Sequence, residues 1–273
     1  MTTIQKIIKY LAIGFAMALT VAIISTILSV FHGLSGVLGL KKEDENVNID
    51  MSEVQFENSD VAILDIDLSY TNLTIKTGET LKAEASNNKI QCTQNDKKLK
   101  IVEEYEVFSK NDREEMIVYV PEDLEFEKVK INTGAGKINI QNLTAKELVF
   151  ELGAGETQIE NLNVSDKCEI EGGIGKLNIA AGSIKDLDLD MGVGELNMTA
   201  KLTGENKVNA GVGNLKMNLK GDKENYKIDT DKGIGSVKID GQEISDDEKY
   251  GDGENSIDVD GGIGSIKIDF VGE

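Results

Sequence analysis

The chain is poor in the residues on which much chemistry and most covalent stapling depend: its 273 residues include two cysteines, one histidine, one proline and no tryptophan. Cys92 and Cys168 are too few for a disulfide framework and read as small apolar side chains; Cys168 stands where Leu187 does in the next unit and Ile257 in the last. His32 lies at the end of an apolar segment. Histidine-dependent triads and histidine metal sites are therefore excluded from the rest of the chain. No proline follows Pro121, so a Leu-Pro-x-Thr-Gly wall-sorting signal is absent beyond it, and Arg113 is the only arginine.

Acidic residues are missing from residues 1–40, whose only charged side chains are Lys6 and Lys9. The remainder, residues 41–273, holds 27 basic and 49 acidic side chains, a net charge of −22. Such a surface repels phosphate backbones and anionic headgroups, which excludes nucleic acid as a partner and a membrane-adsorbed face.

Leu11 to Phe31 is almost wholly apolar. About 20 helical residues cross the hydrocarbon core, so residues 1–40 are expected to form a single transmembrane signal anchor that is not cleaved. Lys6, Lys9 and the terminal amine slightly outweigh Lys41 and Lys42. That bias points to a cytoplasmic N-terminus and an extracytoplasmic β domain at the cell membrane. Residues 41–58 read as an acidic tether and residues 59–125 as atypical β coils. Strands are expected over Val61 to Leu68, Leu73 to Ile75, Leu99 to Val102 and Met116 to Val120, with Asn72-Leu73-Thr74-Ile75 a degenerate first repeat.

Residues 126–273 repeat one motif seven times: Gly134-Ala135-Gly136, Gly153-Ala154-Gly155, Gly173-Ile174-Gly175, Gly192-Val193-Gly194, Gly211-Val212-Gly213, Gly233-Ile234-Gly235 and Gly262-Ile263-Gly264. The second glycines are 19, 20, 19, 19, 22 and 29 residues apart. Apolar–polar alternation flanks every copy. This period predicts an all-β fold, a parallel β-solenoid of stacked coils in which each Gly-x-Gly is a corner. The apolar middle residue is expected to point inward and fill that corner. Stacking in chain order would place Lys137, Glu156, Lys176, Glu195, Asn214, Ser236 and Ser265 on one rung. A second rung would hold Asn139, Gln158, Asn178, Asn197, Lys216, Lys238 and Lys267.

The glycines are not phosphate loops, because a strand rather than a helix follows each of them. The calcium nonapeptide pattern fails too, since Ile266 stands where it needs an aspartate. Before the corners, Glu151, Glu169, Glu171, Asp188 and Asp190, with Asp258 and Asp260 further on, should project outward. They form a solvated acidic face; the first five are also the candidate ligands for a divalent metal ion. No carboxylate pair is distinguished from the others, so the chain is read as non-enzymatic, with no cofactor. The long insertion from Gly241 to Ser256 is acidic and is read as a loop.

The apolar N-terminal segment, the strand ending at Val118-Tyr119-Val120-Pro121-Glu122-Asp123-Leu124, and Ile131-Asn132-Thr133-Gly134-Ala135-Gly136-Lys137-Ile138-Asn139-Ile140 with its copies resemble the bacterial adhesin-like, or toast-rack, β-strand-repeat family over about residues 60 to 270. That resemblance implies a solenoid-like extracytoplasmic domain of unknown biochemical function, associated with envelope-stress modules and surface adhesion, with no catalytic residues. A membrane-anchored binding or scaffold module in envelope-stress response is the first expectation, with envelope proteins or cell-wall polymers as partners. A surface adhesin or self-associating scaffold is the second, and a carbohydrate-active β-helix enzyme the third.

Overall fold

A computed structural model describes residues 52–55, 61–86, 89–104, 114–245 and 249–272. All of them fall in one compact unit, Ile49–Glu273. The expected membrane anchor lies outside the described residues.

Among the described residues every regular element is a strand, apart from a three-residue 3-10 turn at Lys223–Asn225. The first part of the unit holds β1 (Ser52–Gln55), β2 (Ile63–Leu68), β3 (Asn72–Thr77), β4 (Lys82–Ala85), β5 (Ile90–Asn95), β6 (Lys98–Glu103) and β7 (Glu115–Val120). β1 lies within the stretch read as a tether. The repeats follow as β8 (Phe126–Ile179), β9 (Gly182–Lys185), β10 (Leu187–Thr203), β11 (Glu205–Lys220), β12 (Tyr226–Asp231), β13 (Ile234–Ile239), β14 (Gln242–Glu243), β15 (Lys249–Tyr250) and β16 (Asn255–Val271). β8 runs without a break through three Gly-x-Gly corners.

Alternation explains the strands. In Leu187-Asp188-Leu189-Asp190 the leucines are buried and the aspartates exposed, and the same reading holds for Ile257-Asp258-Val259-Asp260. Coils then stack in parallel and in register: Leu189 pairs with Ile170 on one side and Val208 on the other, and Val208 with Val259. One interior column holds Cys168, Leu187, Asn206, Ile257 and Ile228, which places Cys168 among aliphatic neighbours as expected. Each fully buried aliphatic side chain contributes roughly 1.5–3 kcal/mol.

Stacking order departs from chain order at one place. β11 pairs with β16, and β16 pairs in turn with β12 and β13. The seventh repeat is thus inserted between the fifth and the sixth. The 29-residue spacing before Gly264 supplies the chain needed to double back, and β14 and β15 lie in that excursion. The rungs accordingly end Asn214–Ser265–Ser236 and Lys216–Lys267–Lys238, not in the order expected from the sequence.

Both ends of the stack are closed by antiparallel strands. At one end β5 covers β6, and β4 covers β7 with β1 paired outside β4; at the other, β14 covers β13 and β15 covers β12. Reversing direction and shortening the last strand blunts an edge that would otherwise template a further coil. Tyr226, fully buried, packs at 5.7 Å against Phe270, which stacks at 5.7 Å on Tyr250, filling the end of the core beside β12.

Candidate functional site

The corners are built by glycine because neighbouring coils leave no room for a side chain. A β-carbon on Gly194 would overlap the carbonyl oxygen of Gly175, and one on Gly192 that of Gly173; the same clash recurs along the stack. Gly194 also has φ +146°, which a side chain strains. Because backbone packs on backbone here, the corner is filled without its middle residue.

That residue points outward, contrary to the expectation that it fills the core. Ile174 is 44% exposed, Val212 39% and Ile234 51%, while Ala154 is also exposed and Ala135, Val193 and Ile263 are half-buried. The inward position is one residue before the first glycine. Thr133 is buried there, and Leu152, Met191 and Ala210 pack partly against the core. Gly172 occupies the same place, and a β-carbon on it would come 2.7 Å from the Met191 sulfur, so the small residue makes room for its neighbour.

Register joins the middle residues into one ridge. Ile174, Val193, Val212, Ile263 and Ile234 are successive rung partners. The first coil adds Tyr70, 61% exposed, because the Ala135 N–H donates to the Ser69 carbonyl at 2.7 Å and Leu73 pairs with Ile138. Tyr70, Ile174, Val212 and Ile234 are the large exposed hydrophobic side chains of the described residues, and all four lie on this ridge.

Different charges line its two sides. Before the corner stand Glu151, Glu171, Asp190, Asp260 and Asp231, interrupted by Asn132 and Asn209. The candidate ligands are divided among separate partners: Glu151 accepts from Lys130 at 2.7 Å, Glu169 binds Lys167, Asp190 accepts from Asn209, and Asp188 faces Lys207 across the rung. Those carboxylates raise the pKa of Lys130 and of Lys167. Glu171 is exposed and pairs in register with Asp190. Among the described residues no three His, Cys, Asp or Glu side chains converge as they would around an ion.

After the corner, Lys176 and Glu195 form an ion pair at 3.0 Å, which raises the lysine's pKa, while Glu156 accepts from Gln158 at 2.9 Å. Asn178 and Asn197 pair in register, and Lys216, Lys267 and Lys238 follow as consecutive rungs.

Two polar residues that the sequence reading did not single out hold the coils. The Glu103 carboxylate accepts N–H bonds from Ser69 at 2.6 Å, Tyr70 at 3.0 Å and Thr71 at 3.3 Å, the donors that elsewhere meet a preceding corner. Asn206, 1% exposed in an otherwise aliphatic column, accepts from the Leu187 N–H at 3.1 Å and donates to the Ser256 carbonyl at 3.0 Å, tying three coils together. Neither carries a periodic signal. Burial raises the thiol of Cys92 to about 11 and that of Cys168 further still, so both resist ionisation.

The glycine corners enclose a cavity of only about 30 Å³ between Thr133 and Met191. That is room for about one water molecule, and the wider recesses beside Glu151 and beside Tyr70, about 290 and 370 Å³, lie open to solvent. What the stack offers a partner is long, regular faces.

A family model described as Toastrack DUF4097 matches residues 38–263. Among solved structures, a candidate cell adhesion protein from Clostridium sporogenes is 18% identical, with TM-score 0.36, covering 81% of this chain and 99% of its own. A candidate adhesin from Bacteroides fragilis is 11% identical, with TM-score 0.36, covering 80% and 97%. Another from Parabacteroides distasonis is 14% identical, with TM-score 0.37, covering 82% and 98%. No curated protein matches the chain.

Proposed function

Because this chain belongs to the Toastrack DUF4097 family, we propose that it is a non-enzymatic, membrane-anchored envelope protein whose adhesin-like ectodomain is a binding and scaffold module in envelope-stress response. The observation that carries this reading is the in-register stack, which spreads its polar and charged side chains over long faces and packs its corners with backbone. A surface of that kind recognises an extended polymer or another protein better than it encloses a small substrate. The apolar run Leu11 to Phe31, and the acidity of the rest, support a domain held outside the membrane and away from anionic headgroups.

Envelope proteins and cell-wall polymers are the partners this reading calls for. A deletion strain tests it. Increased sensitivity to cell-wall antibiotics, together with an altered envelope-stress reporter, is expected. Unchanged stress signalling with loss of surface attachment would replace it with the second reading, a surface adhesin or self-associating scaffold, which the exposed ridge from Tyr70 to Ile234 favours. Protease treatment of intact cells checks localisation: the β domain should be cleaved without lysis.

A further inference from the structure

The ridge is an apolar line on an otherwise strongly charged surface. Eight rungs, from Tyr70 through Ala135, Ala154, Ile174, Val193, Val212 and Ile263 to Ile234, span seven intervals. At about 4.8 Å each, that is about 34 Å. With its flanking columns, about six residues wide at about 3.3 Å per residue, it covers about 680 Å². Specific interfaces bury about 600–1,000 Å² per partner, so a ridge of this size falls at the lower end of that range. Tyr70, Ile174, Val212 and Ile234 are large and exposed on it, and apolar side chains aligned in this way mark an interaction surface.

We propose that two copies of this chain pack ridge against ridge about a two-fold axis running along the ridge, so that both stacks point the same way.

Charge selects this arrangement. One flank is acidic from Glu151 to Asp231, while the other carries Lys137 and Lys176 among Glu156 and Glu195 and then Lys216, Lys267 and Lys238. A two-fold axis along the ridge lays the acidic flank of one copy against the lysine-bearing flank of the other at equal height. Asp260 and Asp231 then face the rungs of Lys267 and Lys238. An axis across the ridge would instead set the acidic flanks against each other, and like charges brought together in a desolvated rim are repelled. End-to-end stacking is opposed by the antiparallel strands that close both ends. An arbitrary partner of opposite charge would not need an apolar seam of constant spacing; a second copy supplies the same spacing on its own ridge.

Parallel and antiparallel pairs differ in which residues meet. About an axis along the ridge every ridge residue lies beside its own counterpart, at both ends as well as in the middle. The full chain carrying Cys92→Ser is expressed with Tyr70→Cys, Val193→Cys or Ile234→Cys, and intact cells are oxidised with copper phenanthroline. All three should yield a disulfide-linked dimer, at least fivefold above Lys201→Cys, an exposed residue of the return strand. Dimer from Val193→Cys alone indicates antiparallel packing and overturns the proposal. Equal yields at Lys201 and on the ridge indicate random collision and also overturn it. Adding Lys216→Glu and Lys238→Glu to the Ile234→Cys chain should cut the yield at least fivefold, and an unchanged yield overturns the charge argument. In sedimentation the purified full chain should be dimeric at tens of micromolar, and Ile174→Glu with Val212→Glu and Ile234→Glu monomeric with its β circular dichroism retained. A monomeric parent chain overturns the proposal whatever the deletion strain shows, and a dimer stands whichever function that strain supports.

Discussion

The first corner, Ser69-Tyr70-Thr71, has no glycine, whereas each of the seven corners stacked beyond it has two. The path of the chain is the same in both: Ala135 bonds to Ser69, and the flanking strands β2 and β3 continue in register into β8. What differs is the neighbour below. A β-carbon on Gly134 would come 2.6 Å from the Ser69 carbonyl oxygen, and one on Gly153 would overlap that of Gly134, so each added β-carbon points at the preceding corner. At Ser69, Tyr70 and Thr71 the Glu103 carboxylate takes up the N–H groups instead. The first glycine of each corner answers to stacking, and the second answers also to a positive φ, 146° at Gly194, that Thr71 does not share.

The largest effect expected from this comparison is at the middle of the stack. Gly194→Ala drives a β-carbon into Gly175 at φ +146°, and the strain together with overpacking should cost about 4 kcal/mol. Ser69→Ala, at the corner with no glycine, should change stability by less than about 0.5 kcal/mol. Urea denaturation followed by far-ultraviolet circular dichroism measures both. A cost below about 1 kcal/mol at Gly194 would show that the stack accommodates a β-carbon at this corner.

A second contrast separates residues of one type on one coil. Ile170 is fully buried and Ile174, four residues later, is 44% exposed. Ile170→Ala should cost about 3 kcal/mol through lost burial and the cavity left behind. Ile174→Ala should stay within about 0.5 kcal/mol in a monomer, since it removes an exposed side chain. A large loss from Ile174→Ala in dilute solution would return the middle residue to the interior.

Much of this architecture is legible in the sequence. Glycine spacing and alternation such as Leu187-Asp188-Leu189-Asp190 establish stacked, in-register β coils, and the strands expected around Leu64, Leu73, Leu99 and Val118 are all present. The direction of the middle residue is not legible, because alternation slips by one across the corner: Ile170 and Leu177 both face inward although seven residues separate them. Parity carried through the glycines therefore assigns Ile174 to the wrong side. Nor does the repeat reveal that the seventh copy stacks before the sixth, since both corners are Gly-Ile-Gly and either would fit against Gly211. Glu103 escapes notice because it acts once, across 32 to 34 residues of chain. The acidic series faces outward as its alternation with apolar residues predicts, but the pairing of Glu151 with Lys130 and of Asp190 with Asn209 depends on neighbours from other coils, whereas Glu169 binds Lys167 two residues away on its own strand.

Glu103→Ala tests the first corner directly. Three N–H groups lose a charged acceptor, and although water reaches the exposed Tyr70 amide, about 2 kcal/mol of local stability should go. Hydrogen exchange at Ser69 to Thr71 should accelerate about 30-fold, with exchange at Leu189 unchanged, because a solenoid can fray from one end. Acceleration shared by Leu189 would mean that the Glu103 cap holds the whole stack.

The smallest effect concerns the strands that close this same end. Glu84 on β4 accepts from Lys82 at 2.9 Å and from the Tyr119 hydroxyl on β7 at 3.1 Å, and the Lys82 ammonium and that hydroxyl hold its carboxyl below the ordinary value of 4.5. A carboxylate with a lowered folded-state pKa contributes stability above its unfolded value and loses it as pH falls through the folded one. The pair is partly exposed, so the contribution is under about 1 kcal/mol. Glu84→Gln should therefore lower the melting temperature slightly at pH 7, and the difference from the parent chain should shrink as the pH is brought below 4.5. A constant difference down to pH 2 would assign the effect to packing of the side chain, leaving hydrogen bonding by backbone and Glu103 as what distinguishes the closed end from the repeating corners.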